Sequence, residues 1–447
     1  MPWTFPSGSM ASDSRSLTLR VHLPEKRLTK MLAFDAQMTV AKACEHIRNQ
    51  LREFELTGSA KDHGLFLPHE DNKKGLWLDN SRTLEHYILR NGDTVQYRYR
   101  NRWLYIRTMA GVQKKLLVDD SQTVAELMRK ICSSMGIYNH DEYSLVRERD
   151  ETDRNQTLRK STTGVGTLGR DQDKMEKLKR KLHTDDDMDW LNPSQSLRQQ
   201  GIEEDEVLLL KRRYFFSDMN VDARDPIQLN LLYLQLKDAI LKGTHPVSQE
   251  EAIYLAALQC QIQLGDCNPE KFRANFLDLK DLLPKEYAKI RSLEKKILQQ
   301  HAEFTGLSDI EAKVKYCQFC RSLKTYGITF FLVKERIKGK NKLIPRLLGV
   351  TKDSVIRLDE KTKEVLKIWP LTSISRWAAS LHAFTMDFGE YSPDDCYTAQ
   401  TSEGEQISQL IAGYVDIITK KQKAKDYPGL QGDEESAMYE ENVRAEK

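Results

Sequence analysis

An internal repeat is the sequence feature that most limits what this chain can fold into. Residues 16–100 and 102–213 each contain, in the same order, a pair of strand-like runs, an amphipathic helix, another strand, a turn with Trp-Leu and a closing strand. In both helices the apolar residues recur at positions i, i+3, i+4 and i+7, which places them on one helical face. These residues are Val40, Ala43, Cys44 and Ile47 in the first copy and Val124, Leu127, Met128 and Ile131 in the second.

Two strands, a helix and two strands in a unit of this length are typical of the ubiquitin-like ββαββ fold. We therefore predict two tandem ubiquitin-like lobes, at residues 16–100 and 101–213, with closing strands at Thr94–Tyr99 and Glu206–Leu210. The second lobe carries a basic insertion at about residues 148–181, and we expect its polar, Gly-, Ser- and Thr-rich first part to be mobile.

Composition favours an intracellular protein that does not span a membrane. The first 15 residues lack the basic start and apolar run of a signal peptide, and we expect them to form a disordered leader. No apolar stretch approaches the length of about 18 residues that a membrane-spanning helix needs. The seven cysteines are odd in number and lie within apolar patterns, which favours buried free thiols in a reducing compartment.

The rest of the chain predicts two further lobes and a tail. Residues 214–322 have the pattern of a helical bundle, with capping boxes that begin at Ser248 and Ser308. Residues 323–420 instead contain seven short strand-like runs and a final helix with one apolar side, as in the pleckstrin-homology/phosphotyrosine-binding (PH/PTB) sandwich. Residues 421–447 are polar and charge-rich, and we expect a linker.

Ubiquitin-like, helical and PH-like lobes in this order define the FERM module, and several segments resemble the head of the talin family, of invertebrate type. The segments that carry the resemblance include NHDEYSLVRE, FLDLKDLLPKEY, SLKTYGITFFLVKE and SRWAAS, and it covers residues 16–440. Kindlins share the four-lobe plan, but residues 214–322 leave no room for their inserted PH domain. The resemblance implies a multidomain α+β protein whose helical lobe is a bundle like acyl-CoA-binding protein.

The segment Ser375–Ala379 is the candidate site in the PTB-like lobe. PTB-like domains bind an extended peptide by adding it to an exposed sheet edge beside the C-terminal helix. From the residues alone Trp377 is more readily a core residue than a contact, but the resemblance implies a site for the NPxY-type motif of integrin β tails. The residues implied for this site are Arg376, Trp377, Ala378, Ala379, Glu390, Tyr397 and Leu343. Talins tend to have Tyr-Tyr where this chain has Cys396-Tyr397.

Clustered cations predict contact with an anionic membrane, which attracts each nearby Lys or Arg by roughly 1 kcal/mol. A charged turn is usually only solvated, but the first hairpin of the PTB-like lobe holds more cations than solubility requires. In the helical lobe, Glu251 stands where the resemblance implies a membrane-facing lysine. The predicted membrane-binding residues are Lys334, Arg336, Lys338, Lys340, Lys342, Lys271, Arg273, Lys174, Lys177, Lys179, Arg180 and Lys181.

Other candidate sites are weaker. Lys30 matches a lysine that related talins use towards a Ras-like small GTPase, although Gln50 replaces the partner arginine and a lone strand lysine usually faces solvent. Cys317-x-x-Cys320 has no second ligand pair at zinc-binding spacing, so packing is the simpler interpretation. No nucleotide loop or catalytic signature occurs, and we predict no enzyme activity, cofactor or metal.

The predicted function is a cytoskeletal adaptor head that binds integrin β tails and phosphoinositide-rich membrane at cell–matrix adhesions, on the inner face of the plasma membrane. Phosphatidylinositol bisphosphate, a phosphoinositide kinase, actin and a Ras-like GTPase are the further predicted partners. We expect no nucleic acid and a monomeric head. Two alternatives stay open, a FERM targeting module of a larger signalling enzyme and a membrane–actin linker that binds no integrin.

Overall fold

The fold is that of a computed structural model, which describes residues 16–54, 56, 58–69, 74–148, 178–179, 188–268, 276–336, 343–389 and 396–426. The chain divides into two compact units. The first is built from the residues up to 106 together with 114–127 and 192–207, and the second from the remaining ranges. In the described part of the chain, no helix combines the length and apolarity needed to cross a bilayer.

The first ubiquitin-like lobe is a five-stranded sheet with one helix. Its strand order is β2-β1-β5-β3-β4, with β1 and β5 parallel. Apolar residues alternate along β1, so that one face of the sheet packs on the apolar face of α1. The elements are β1 (Ser16–Leu23), β2 (Leu28–Asp35), α1 (Val40–Gln50), β3 (His63–Pro68), β4 (Gly75–Trp77) and β5 (Thr94–Tyr99).

The second ubiquitin-like lobe repeats this plan, with strand order β7-β6-β10-β8-β9. The corresponding positions of the two orders match one to one, which confirms the tandem ubiquitin-like fold. The closing strand begins one residue later than predicted and continues to Arg212. The elements are β6 (Asn101–Thr108), β7 (Gln113–Asp119), α2 (Val124–Ser134), β8 (Tyr143–Arg147), β9 (Asp189–Trp190) and β10 (Val207–Arg212).

A buried carboxylate links the two lobes within the first unit. Asp120 accepts hydrogen bonds from Arg198 at 2.9 Å and Arg102 at 3.3 Å. The indole Nε1 of Trp77, in the first lobe, donates to the same carboxylate at 3.4 Å. Burial raises the pKa of Asp120, while the two arginines oppose that rise. Two cations around one anion keep this buried charge compensated.

The helices of the helical lobe pack their apolar faces against one another in a common core. Both predicted capping boxes are present, because Ser248 and Glu251, and likewise Ser308 and Glu311, exchange side-chain-to-backbone hydrogen bonds. Cys317 and Cys320 are buried in the core of this lobe, as packing residues would be. The helices are α3 (Pro226–Lys242), α4 (Gln249–Leu264), α5 (Leu279–Leu282), α6 (Leu293–Ala302) and α7 (Asp309–Arg321).

A buried ion pair joins the second ubiquitin-like lobe to the helical lobe within the second unit. Arg212, at the end of β10, pairs with Glu142 and donates from Nη2 to Oε1 of Gln228 at 2.7 Å. The hydroxyl of Tyr143 donates to the same Gln228 oxygen at 3.1 Å. The buried Arg212 charge is thus both paired and hydrogen-bonded, and its contacts tie the end of β10 to α3 of the helical lobe.

The PTB-like lobe has the seven predicted strands and the predicted helix. Its sheet has the order β14-β13-β12-β11-β17-β16-β15. Ile407, Leu410, Ile411 and Tyr414 form the buried face of the C-terminal helix, which packs on the inner face of the sheet. The elements are β11 (Thr329–Arg336), β12 (Leu343–Val350), β13 (Ser354–Leu358), β14 (Val365–Pro370), β15 (Arg376–Ala379), β16 (Ala383–Asp387), β17 (Cys396–Gln400) and α8 (Gly404–Asp426).

Candidate peptide-binding site

The strand β15 lies at an edge of the seven-stranded sheet. It pairs with β16 on one side, with Arg376 opposite Asp387 and Ala379 opposite Phe384. Among the described residues, no strand pairs with its other side. The predicted edge strand is therefore present, with its backbone open to a further strand.

The register shows which backbone groups face the open side. Ser380 donates its N–H to the carbonyl of Ala383 at 2.8 Å, so these opposed residues form a hydrogen-bonded pair. Because such pairs alternate along an antiparallel ladder, Ala378 and Arg376 are also bonded to β16. The N–H and C=O groups of Trp377 and Ala379 then point away from β16, towards the open edge.

The C-terminal helix lies against this strand. Trp377 is half-buried, packs against the apolar core of the lobe and donates from Nε1 to Oγ of Ser408 in α8 at 3.2 Å. At the other end of β15, a Cβ placed on Gly404 would lie 3.3 Å from Cβ of Ala379 and 3.0 Å from the carbonyl oxygen of Ala383. Glycine at the start of α8 therefore permits the helix to begin close beside the strand, and Trp377 supports this arrangement with only part of its surface exposed.

The outer face of the edge carries small side chains and one ion pair. The side chain of Arg376 is 82% exposed, and its guanidinium lies 2.6 Å from Oδ2 of Asp387. The backbone N–H of Gly389 and then Arg376 hold the pKa of Asp387 below its usual range. Ala378 and Cys396 are exposed on strands either side of β16, so the surface between them is shallow.

Tyr397, which the sequence predicts as a peptide contact, does not lie on this outer face. Successive strand residues point to opposite faces, and with Cys396 outside, Tyr397 points inwards. Its ring lies 4.8 Å from that of Trp369, and its hydroxyl donates to Oε1 of Glu335 at 2.7 Å. Glu335 also pairs with Arg357 at 2.6 Å. Burial, and then the Glu335 carboxylate, raise the pKa of Tyr397 above its ordinary value.

The predicted contacts at the first hairpin of this lobe are partly described. Leu343 is 39% exposed at the start of β12, and Arg336 is exposed at the end of β11. Lys334 is half-buried on β11. Arg346 instead pairs with Glu360 at 2.6 Å, so the charge of this cation is balanced within the PTB-like lobe.

The remaining predicted site residues lie outside the described residues, except for Lys179 and Lys30. Lys179 pairs with Glu403 at 2.8 Å, and its side chain is only 15% exposed. Leu178 beside it packs against the apolar outer face of the PTB-like sheet. Lys179 as placed therefore faces the PTB-like lobe, whereas the sequence predicts a membrane contact for it. The predicted site residues outside the described ranges are Glu390, Lys338, Lys340, Lys342, Lys271, Arg273, Lys174, Lys177, Arg180 and Lys181.

Lys30, the candidate GTPase contact, lies on the outermost strand of the first sheet. Its Nζ is 2.5 Å from Oε1 of Glu53 and 4.4 Å from the ring centre of Phe54. The cation is thus held locally by an anion and an aromatic face, and its side chain keeps about a third of its surface exposed.

The site also contains residues that sequence reasoning missed. Ser408, Glu335 and Arg357 were not singled out. Ser408 bonds to Trp377 of the edge strand, Glu335 to Tyr397 on β17, and Arg357 to Glu335 on β11. No motif marks them, because their partners lie 31, 62 and 22 positions away along the chain. Among the described residues, no group of His, Cys, Asp and Glu side chains has the arrangement of a metal site.

Three family models match separate parts of the chain. The N-terminal or F0 domain of the talin-head FERM matches residues 17–99, the FERM central domain matches 218–331, and the PTB domain of IRS-1 type matches 331–419. Among solved structures, the complex of the FERM and C-terminal domains of Drosophila Merlin covers 72% of this chain and 98% of its own, with a TM-score of 0.55 and 17% identity. At that identity the likeness supports the fold alone.

Curated relatives match nearly the whole chain. Human Talin-2 is 54% identical over 97% of this chain, and chicken Talin-1 is 53% identical over the same share. Talin of Oscarella pearsei is 49% identical over 96% of the chain. The chain spans 17% of the length of each of these relatives. The predicted likeness to invertebrate talins in particular stays a prediction. With the lobes and the edge strand described above, these similarities show that the chain is a talin-like FERM head and belongs to the talin family.

Proposed function

We propose that this chain is the head of a cytoskeletal adaptor that binds the NPxY-type motif of an integrin β tail along β15. The observation that supports this function is the open sheet edge, where the backbone N–H and C=O groups of Trp377 and Ala379 are available and α8 lies alongside. An extended peptide added there gains backbone hydrogen bonds, while side-chain pockets supply the choice of sequence. Arg376 and Ala378 present the contact surface on the outer face, and Trp377 supports it from within the lobe.

Anionic membrane is the second proposed partner, through the basic hairpin between β11 and β12. Leu343 and Arg336 are exposed at the two ends of this turn. An apolar side chain among cations is suited to the boundary between lipid headgroups and acyl chains. Peptide and membrane contacts in one molecule reinforce one another through effective concentration, so neither has to be strong alone.

The cellular setting and remaining partners follow as proposals from the talin family. We propose that the protein acts at the inner face of the plasma membrane in cell–matrix adhesions, linked to actin and to a phosphoinositide kinase. A Ras-like GTPase at Lys30 has less support, because Glu53 and Phe54 already hold the lysine. The similarities give no support to a FERM module that serves a larger signalling enzyme.

Peptide and vesicle titrations of the whole chain test this division of labour. An NPxY peptide should bind saturably, and lipid vesicles should not displace it. Vesicles containing phosphatidylinositol bisphosphate should bind more weakly as the salt concentration rises. Reversing the charges of Lys340 and Lys342 should weaken vesicle binding and leave peptide binding unchanged. A chain that binds these vesicles but no NPxY peptide would instead be a membrane–actin linker, and salt-independent vesicle binding would exclude the electrostatic mechanism.

A further inference from the structure

The second unit contains a buried cation that has no counter-ion among the described residues. Arg213 follows β10 and is 5% exposed. Its guanidinium carbon lies 5.3 Å from the ring centre of Trp190 and 5.7 Å from that of Tyr214. One guanidinium nitrogen, Nη2, is 3.5 Å from Oε1 of Gln409, at the limit of a hydrogen bond. The other, Nη1, is buried and has no hydrogen-bond partner in the part of the chain that the structure describes.

No carboxylate within the described ranges pairs with Arg213. Burial lowers the pKa of this arginine, and the groups that oppose the effect are the hydroxyls of Tyr214 and Tyr414. The adjacent Arg212 is equally buried, yet it has Glu142 as its counter-ion. Burying an unpaired charge is costly, so buried arginines normally have an anionic partner. Among the described residues the Arg213 charge lacks that partner, and a bound anion would supply it.

Arg213 lines a cavity that has room for such a partner. The cavity has a volume of about 90 Å³, several times the roughly 10–15 Å³ that a single water needs. Lys211, Thr329 and Gln406 contribute further polar groups to its wall. Apolar side chains form most of the remainder, and they are Met188, Trp190, Phe215, Phe331 and Leu410.

One carboxylate also lines the cavity, and it is already neutralised. Glu403 is 3% exposed, and its Oε2 lies 2.8 Å from Nζ of Lys179. This pair contributes no net charge to the wall. The charge of Arg213 is therefore the one that an incoming anion would balance.

We propose that this cavity binds a small tetrahedral oxyanion, either inorganic phosphate or a soluble phosphomonoester, with Nη1 of Arg213 as a principal donor. The planar guanidinium matches the spacing of two phosphate oxygens, and a charge-assisted hydrogen bond is stronger than a neutral one. Water could satisfy Nη1 but not the charge. Because Arg213 is almost fully buried, the ligand comes from solution rather than from the surface of a bilayer.

Thermal unfolding of the whole chain in phosphate, compared with chloride at equal ionic strength, tests this site. A ligand that binds only the folded state raises the unfolding midpoint as its concentration rises. Arg213→Met removes the charge and keeps an apolar stem between the two rings. Arg224→Met is the matched control, since Arg224 is exposed and paired with Asp222 at 2.8 Å. Phosphate should stabilise the unchanged chain and Arg224→Met, and leave Arg213→Met unaffected. An equal shift in all three chains would overturn the assignment.

Direct binding to the unchanged chain decides the question if Arg213→Met does not fold. Calorimetry and phosphorus NMR should detect saturable binding of inorganic phosphate or of soluble inositol trisphosphate. Vesicles with phosphatidylinositol bisphosphate form the second arm of the experiment, with phosphatidylcholine vesicles as the reference. Saturable binding of a soluble phosphate supports the site. Binding to phosphoinositide vesicles with none to either soluble phosphate would refute it.

Discussion

Proline at position 379 should remove peptide binding while leaving the edge strand folded. The register of β15 directs the N–H of Ala379 to the open side, so Ala379→Pro deletes one donor that an added peptide strand would use. No hydrogen bond to β16 is lost. Proline is tolerated on edge strands where its missing N–H would have faced solvent, so the unfolding midpoint should change little.

The expected loss in affinity follows from one hydrogen bond. A peptide carbonyl opposite the proline would lose its donor, and a buried acceptor left unsatisfied costs about 1–3 kcal/mol. That penalty corresponds to a dissociation constant roughly fivefold to a hundredfold higher. Calorimetric titration of an NPxY peptide into the full chain measures this change, and binding to phosphoinositide vesicles should stay the same.

Ala378→Pro is the informative comparison, because the same substitution one residue earlier falls on the other side of the strand. The N–H of Ala378 faces Thr385 in β16, so this proline breaks a bond inside the sheet. It should lower the unfolding midpoint, and Ala379→Pro should not. If the two variants behave in the opposite way, the register that we assign to the edge is wrong. Unchanged peptide affinity in a folded Ala379→Pro chain would refute strand addition at β15.

Three further predictions concern stability. Ile88→Asn should raise the free energy of unfolding by about 1 kcal/mol in chemical denaturation. Ile88 has a left-handed φ of 53°, which asparagine adopts with less strain, and it is 81% exposed, so the substitution removes little packing. Glu142→Gln should destabilise it by up to roughly 3–5 kcal/mol, because the substitution leaves the buried Arg212 charge uncompensated; an unchanged midpoint would contradict this role. Burial lowers the pKa of His245 from 6.5 to about 4, so the unfolded chain binds a proton in this window that the folded chain does not. Stability should therefore fall by as much as roughly 3 kcal/mol as pH drops across it, and His245→Gln should flatten that part of a pH series of unfolding measurements.

Local patterns predicted the elements well because each element is specified by its own residues. The strands β11 to β17 are short runs bounded by charged or turn residues, and each capping box needs residues only three positions apart, beginning at Ser248 and Ser308. The repeat then fixed the fold of the first two lobes, because two copies with the same order of elements have the same strand order.

Side-chain direction and long-range pairing could not be obtained in this way. Tyr397 was assigned to the peptide site from its position in a motif, but the pairing of β17 with β16 decides which of two neighbouring residues points outwards. Lys179 was assigned to membrane binding because its sequence neighbours are cationic, whereas its partner Glu403 is 224 positions away. Arg213 gave no signal at all, since its burial depends on Trp190 and α8.

The shape of the edge also explains why a site of this kind would work together with a membrane. The strand β15 has four residues, and the alternation of its bonds leaves two of them facing the open side. A short edge flanked by an exposed ion pair resists unwanted pairing with other proteins, since long, flat, apolar edges are the ones that aggregate. The same shortness limits an added peptide to a few backbone hydrogen bonds, each worth about 0.5–1.5 kcal/mol net. Strong attachment then requires a second contact in the same molecule. The basic clusters of this chain would supply that contact by binding the bilayer that also anchors the peptide, because this raises the effective concentration of the peptide at β15.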